Sequence, residues 1–453
     1  MAAACSAFVI VAPTHTIARG QELQAIAHET TEPTTQPATT QPVLSWEAQW
    51  NGWEGLDIEF IDRTHWRTVS EILMRTPEEA IADQRVRFAA NFGARLEVDA
   101  AQLGASGTLN DFDSGVALRR LSLISRGMFQ FVAPIDFKLE LGYIPGKFNV
   151  KDAYLVFPEI DYVGRVKFGF FQPPMGLDLM TSSRDLMFME PAAPLQALAP
   201  GNEFGIQIGR PVFDERATWV LGIFGNGQRS GEYGNASKNY GSAIGRATWL
   251  AIDHLNPQTP VLNQSLHLGV SANYQYSTTS TVRYRSRPES YIAPHVIDTG
   301  EITSRKAATL GAEAAWVSGP LSVQSEFLDS SLDVDNGPDV NFYGFYVYAS
   351  YFVTGESRAY DRKAADFERV KPLHDFAFGR QGWGALELGG RISYTNLTNG
   401  DIRGGRLGIL MGEANWYLQP HVRWMLGTGY GHVDGSSNNG DMFILQTRLA
   451  VDF

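Results

Sequence analysis

The sequence predicts an all-β fold, a 16-stranded antiparallel transmembrane β-barrel with long loops folded into the lumen. Three observations carry that expectation. Runs of about ten residues alternate apolar and polar side chains, which gives a strand one face for lipid and one for water. No apolar run reaches the roughly eighteen residues that a membrane helix needs. Charged residues make up 19% of the chain, beside 12% aromatics and 45 Gly. A membrane chain of that kind must be a barrel, since only helices and closed barrels pair every backbone group in lipid.

The N-terminal part reads as lead-in. Residues 1–18 resemble the apolar core of a secretory signal peptide, with small residues at Thr16-Ile17-Ala18 for cleavage. Residues 19–44 read as a disordered linker, because 28–43 are nearly all Thr, Pro, Gln, Ala and Glu and cannot bury a core. Residues 45–84 form a periplasmic lead-in segment with Trp46, Trp50 and Trp53, one short strand around Leu56–Phe60 and a weak helical pattern at 64–82.

The barrel is expected over 85–453. Its first strand alternates Val86, Phe88, Ala90, Phe92, Ala94, Leu96 and Val98 against Arg85, Arg87, Asn91, Arg95, Glu97 and Asp99. Further strands follow near 116–131, 135–144, 152–158, 163–172, 203–210, 218–225, 243–251, 265–276, 306–317, 321–329, 342–353, 384–394, 406–418, 421–431 and 441–453. Such strands are longer than the five or so residues usual in soluble sheets. Connections after odd-numbered strands are mostly long, as suits the outside of a cell, and several of those after even-numbered strands are short, with 252–264 and 354–383 longer than that rule allows. Aromatics near strand ends (Tyr143, Trp219, Trp249, Tyr276, Trp316, Trp416, Trp424) suit interface girdles.

The stretch from Gly164 to Phe204 organises the rest. A strand with Val166, Phe168 and Phe170 on one face and Arg165 and Lys167 on the other breaks at Pro173-Pro174, where backbone donors are missing. An apolar segment follows to Asn202. So long and apolar a connection is expected to fold into the barrel and narrow it. The connection 354–383, too long for a short-turn side, is expected to tuck into the lumen as well.

Several function classes are excluded or lack support. The net charge of −12 argues against a nucleic-acid partner. Cys5 is the only cysteine, which leaves no disulfide and no thiol chemistry in a mature chain. The histidines show no metal-ligand spacing, and no cofactor motif is present. Ser182-Ser183 lack the G-x-S-x-G elbow of a hydrolase, so no enzyme activity is expected.

By alternation, Arg85, Arg87, Arg95, Arg120, Arg126, Arg165, Lys167, Arg246, Arg391, Arg423 and Arg448 point inward. Guanidinium groups stay charged and can bind two oxygens of a phosphate at once, and a ladder of modest sites permits release. Inward Glu97, Asp99, Glu140, Glu313, Glu326, Glu387 and Glu413 can pair with these arginines. Two readings therefore stand side by side: an anion-selective lumen, and a wall of salt bridges around a weakly selective pore. A plugged structural barrel is the reading from another class.

From about Arg85 to Phe453 the chain resembles the phosphate-selective porins of the O and P type. The resemblance rests on Arg119-Arg120, on VKFGFFQPPMGL with Thr181-Ser182-Ser183 and Phe188-Met189-Glu190, on SYFVTGESRAYDR from Ser350, on the strand ending RISYT, on ANWYLQPHVRWML from Ala414, and on the terminal Phe453. It implies a homotrimeric porin of the bacterial outer membrane, embedded in lipid, passing small anionic solutes (phosphate among them) by passive diffusion. It also implies that Arg95, Arg119 and Arg120 supply the cations of a central anion site, Ser182 and Ser183 its hydroxyls and Asp152 its acid. Leu179 stands where the family has a loop lysine, and Pro191 where an arginine follows the Met-Glu pair.

Overall fold

Period-two alternation becomes sixteen paired barrel strands in the computed structural model, which describes residues 44–50, 56–62, 86–130, 133–144, 147–225, 241–255, 263–276, 281–335, 337–377 and 382–453. In order they are β1 (Val86–Ala105), β2 (Gly115–Gln130), β3 (Pro134–Ile144), β4 (Lys147–Ile160), β5 (Gly164–Phe171), β6 (Glu203–Val212), β7 (Ala217–Gly225) and β8 (Gly241–His254). The second half comprises β9 (Gln264–Tyr276), β10 (Ile302–Ser318), β11 (Leu321–Val334), β12 (Val340–Phe352), β13 (Ala385–Asn399), β14 (Ile402–Gln419), β15 (Val422–Asp434) and β16 (Asn439–Asp452). Each pairs antiparallel with its sequence neighbour, and β16 returns to β1 from Met442↔Ala105 to Asp452↔Arg95. The sheet closes, so no strand edge of the barrel faces lipid.

Hydrophobicity is inverted relative to a soluble sheet. On β9 the buried positions are Ser265, His267, Ser271, Asn273 and Gln275, while Leu268, Val270, Tyr274 and Tyr276 are exposed. The alternation therefore points polar groups inward and apolar groups at the hydrocarbon. Trp249, Trp316 and Trp424 are among the exposed aromatics near the strand ends.

Sixteen strands were expected and sixteen form, but several run further. β1 continues to Ala105 instead of 99, because residues 100–105 keep their ladder to β16 beyond the clear alternation. β4 begins at Lys147 instead of 152, which leaves only 145–146 between β3 and β4. The turn between β13 and β14 is equally short, at 400–401. Long connections at that end are thus confined to some strand pairs.

The signal and linker calls, the helical pattern at 64–82 and Arg85 fall on residues outside those described, apart from Leu44. Leu44–Trp50 and Leu56–Asp62 form a hairpin, where one strand was expected. Its second strand pairs with β1 over 86–92, continuing the ladder past the point where the C-terminus ends.

The lumen is unequally filled. The 172–202 connection turns inward and carries two short helices, α1 (Leu177–Met180) and α2 (Ala193–Leu198). Every residue of α2 is buried. With Phe188, Tyr284 and Ile297 from the inturned connections, it packs on Leu328, Phe342, Tyr346, Leu397 and Ile409 of the β10–β14 wall. Polar inward strand faces around water were expected, together with an apolar inturned loop; in this half the strand faces are apolar too, because the inturned segments must bury their own Met, Leu and Ala side chains. The open space lies against β1–β8.

The last residue extends the closing seam. Phe453 exchanges two 3.0 Å backbone hydrogen bonds with Ala94. A Cβ on the neighbouring Gly93 would lie 2.1 Å from the Phe453 carbonyl oxygen. Gly93→Val should therefore force this seam apart, at a cost of about 1–3 kcal/mol. Folded yield on an unheated electrophoresis gel should fall, as it should on deletion of Phe453. Wild-type yield of both variants would contradict this account of the seam.

Candidate functional site

A cavity of about 2420 Å³ occupies the open half. Its lining runs from Glu215, Pro420 and Phe453, at the end where β1 begins and β16 finishes, to Asn149, Arg287 and Tyr291 at the other. Fifteen Lys and Arg and twelve Asp and Glu contribute to it.

Part of the lining forms where β1 and β2 face the inturned loop. Register explains its chemistry. Glu97 opposes Arg120 and Val98 opposes Leu118, so Arg119 is an extra residue in a β-bulge. Strict alternation would send one of two consecutive arginines into lipid. The bulge turns both inward, and Arg119 and Arg120 are 1% and 3% exposed. Arg120 Nη1 donates to Glu97 at 2.6 Å. Arg95 also pairs with Glu97, and its Nη1 donates to Ser183 Oγ at 3.0 Å. Ser182 is exposed to the same cavity.

Arg119 acts differently. Its Nε and Nη2 donate to both oxygens of Glu190, at 2.6 and 2.8 Å, and its guanidinium lies 4.4 Å from the Tyr291 ring centre. Glu190 also accepts from Arg448 at 2.6 Å, and Arg448 is itself bidentate on Asp99 at 2.7 Å. This chain of charges pins the loop to the wall.

The other expected site residues line the same cavity with other partners. Asp152 accepts from Lys138 at 2.6 Å and from Asn202 at 3.4 Å. Lys167 sits over the rings of Tyr154 and Phe171, at 4.0 and 4.3 Å. Arg165 pairs with Asp136 at 2.5 Å, half-exposed. Arg126 lines the cavity without an ion pair among the described residues.

Arg246, Arg391, Arg423 and Arg448 do point inward and hold inturned segments, and of these four Arg246 also lines the cavity. Arg391 binds Glu289 at 2.5 Å, Arg423 donates to the Leu186 carbonyl at 2.8 Å, and Arg246 binds Glu313 at 2.6 Å and the Ala365 carbonyl at 3.0 Å. Among the described residues four inward acids bind no arginine, and one of them, Glu140, pairs with Lys138 at 3.2 Å. Glu326 accepts from the Leu177 and Asp178 backbone N–H groups at 2.9 and 2.8 Å. Glu413 accepts from Met189 N–H at 3.1 Å, and Glu387 from Tyr417 at 2.8 Å.

The 354–383 connection reaches into the lumen. Arg358 is buried against Tyr348 and Phe367, and Tyr360 meets His267 Nδ1 at 2.6 Å. The Phe367 N–H donates to Thr181 Oγ1 at 3.4 Å, so this connection touches the constriction loop. Burial, with Asp361 next, pushes the Asp366 carboxyl up to about 7.

Sequence reasoning missed two groups. Arg283, Arg285 and Arg287 alternate on the 281–301 segment, a pattern visible in the sequence. Arg283 pairs with Asp298, while Arg287 donates to the Ala293 carbonyl and lines the cavity. Burial, then Arg287 and Arg285, holds the neighbouring His295 down to about 4, so it is neutral at pH 7. Lys138 and Lys151 on β3 and β4 were also overlooked. Alternation marks Lys138, but Lys151 lies in a bulge that no sequence period reveals.

Burial alone would raise the Glu190 carboxyl, yet Arg119, then Arg448 and Arg120, hold it at about 2, against 4.5 for an ordinary glutamate. A depressed carboxylate contributes stability that is present above about 4.5 and is lost as the pH falls toward 2. The loop anchor should hold from neutrality to about pH 4.5 and weaken below it. Glu190→Gln, which leaves two buried guanidinium groups under-compensated, should cost about 3–5 kcal/mol and make single-channel current noisier at pH 7. Quiet wild-type-like current with an unchanged melting temperature would refute the anchor.

The whole barrel region has recognisable relatives. Residues 90–453 match the family model "Phosphate-selective porin O and P". An uncharacterized protein of Caulobacter vibrioides is 28% identical over 381 residues, 79% of this chain and 73% of the relative. Porin O of Pseudomonas aeruginosa is 24% identical over 430 residues, covering 85% and 93%. Among solved structures, the outer membrane channel DcaP of Acinetobacter baumannii superposes with a TM-score of 0.51 at 9% identity, covering 81% of this chain and 98% of that one. OmpT of Vibrio cholerae gives 0.50 at 11% identity, covering 84% and 99%. These two likenesses show the barrel fold. The chain belongs to the phosphate-selective porin O and P family and is a diffusion pore of the bacterial outer membrane.

Proposed function

We propose that the pore passes small anions, inorganic phosphate among them, by passive diffusion along the open half of its lumen. The observation that carries this reading is the placement of Arg95, Arg120, Ser182 and Ser183 on the wall of one cavity, with Arg95 hydrogen-bonded to the loop at Ser183. Guanidinium and hydroxyl donors in a confined aqueous passage replace part of an anion's hydration shell and repel cations. Asp152, held by Lys138, fixes a lysine beside the path, and Arg126 and Lys167 continue the cationic wall toward the periplasm. The reading includes a homotrimer in outer-membrane lipid, as the family implies. It includes no chemical step: the group hydrogen-bonded to Ser183 is Arg95, which stays protonated and cannot act as a general base.

A second reading, a weakly selective pore, is favoured by the pairing of Arg95 and Arg120 on the single carboxylate Glu97 and of Arg119 on Glu190. The reversal potential of the purified protein in a planar bilayer under a KCl gradient separates the two. Anion preference with phosphate block of the chloride current supports the first reading, and a near-zero potential without block supports the second. Under the first reading, Glu97→Gln frees two guanidinium groups. Anion preference should rise and phosphate block should tighten by roughly fivefold, the effect of one unit charge at contact distance in water. Unchanged block in that variant would remove the Arg95–Arg120 pair from the path.

A further inference from the structure

We propose that Lys151 is a selectivity-determining cation of the constriction, set there without an ion pair to any carboxylate of the described residues. This inference rests on the anion-pore reading and names a residue on which its selectivity depends. The first support is backbone register. Glu140 opposes Asp152 and Leu141 opposes Val150, so Lys151 is the extra residue of a β-bulge. As at Arg119-Arg120, the bulge turns two consecutive charged residues inward. The ladder runs from Arg95 to Ser122, from Ser122 to Gly142 and from Gly142 to Asn149, which puts the bulge level with Arg95.

The second support is a cradle for the stem. Gly142 is buried on the lumen side, and a Cβ there would lie 2.9 Å from Lys151 Cε and 3.4 Å from its Cγ. The aliphatic stem crosses the missing side chain and delivers the ammonium to the cavity, where its charged neighbours are Arg120, Glu140, Arg95 and Arg119. Leu179, on the loop side of the cavity, brings no charge.

Charge balance supplies the third support. Around the narrowing, Arg95, Arg119, Arg120, Lys138 and Arg448 are joined by ion pairs to Glu97, Asp99, Glu140, Asp152 and Glu190. Five cations meet five carboxylates. The Lys151 ammonium forms no ion pair or hydrogen bond among the described residues, so it adds a positive charge to this balanced set, as Arg287, bonded to the Ala293 carbonyl, does beside Tyr291. An unpaired ammonium beside water binds an anion weakly and releases it readily, as conduction requires.

The test uses the full-length protein in planar bilayers, with chloride as the carrier and inorganic phosphate as the blocker. Lys151→Gln should move the reversal potential under a KCl gradient toward zero and raise the half-blocking phosphate concentration by roughly fivefold. Lys151→Arg should keep both near wild type. Lys151→Cys should behave like the Gln variant, then regain anion preference after reaction with an aminoethyl thiosulfonate and lose it further with a sulfonatoethyl one. This rescue separates charge from folding. An anion-selective wild type with an unchanged Lys151→Gln variant, or a cysteine variant indifferent to the sign of the reagent, overturns the assignment to Lys151 alone. A wild type without anion preference overturns the assignment together with the anion-pore reading.

Discussion

Lipid offers no hydrogen bonds, and that one constraint shapes this molecule. Every backbone N–H and C=O within the hydrocarbon must find a partner in the chain, so the sheet must close on itself. Closure assigns the apolar face of each strand to the outside and leaves the polar face no destination but the lumen. Charges that a soluble protein would scatter over its surface are here concentrated in a narrow enclosed space. There they either pair, bind backbone, or face the water of the passage. The bulges at Arg119 and Lys151 follow from the same constraint, because alternation would otherwise expose one member of each charged pair to lipid.

The constriction loop is held with the economy of a buried core. Glu326 caps the N–H groups at the start of α1, Glu413 takes the Met189 N–H, and Glu190 joins Arg119 to Arg448. Each of these side chains comes from, or ends on, an inward strand position. Breaking such a buried pair from one side leaves an uncompensated charge, which is far costlier than loss of a surface salt bridge. A loop of this kind is a fixed internal wall, and the packing of α2 against Phe342 and Tyr346 adds the apolar half of its attachment.

How much of this was legible in the sequence follows from what each feature depends on. Strand number and sidedness depend on local alternation, so all sixteen strands and the inward direction of Arg95, Arg120 and Arg448 could be read. The inturned connections were recognisable because Met175 to Asn202 is too apolar to stay in water. The fate of the inward charges could not be read, because partners are set by register between strands far apart in sequence. Arg448 and Asp99 are one example; Arg391 and Glu289, on a strand and a loop, are another. Lys151 escaped notice for a related reason. A bulge breaks the very period on which the reading relies. The apolar half of the lumen was equally hidden, since Phe342 and Tyr346 look like lipid-facing aromatics until the register shows them inside.

The unequal filling of the barrel also governs how far an electric field reaches. The passage runs between the charged β1–β8 wall and a dry packing of Met, Phe, Leu and Tyr side chains. Such packing polarises far less than water, and a low-dielectric boundary confines the field lines of a nearby charge to the aqueous side. A guanidinium on this wall therefore acts across the full width of the passage, where a water-filled barrel would screen it within a few ångströms. The apolar core of the lumen serves as electrical insulation.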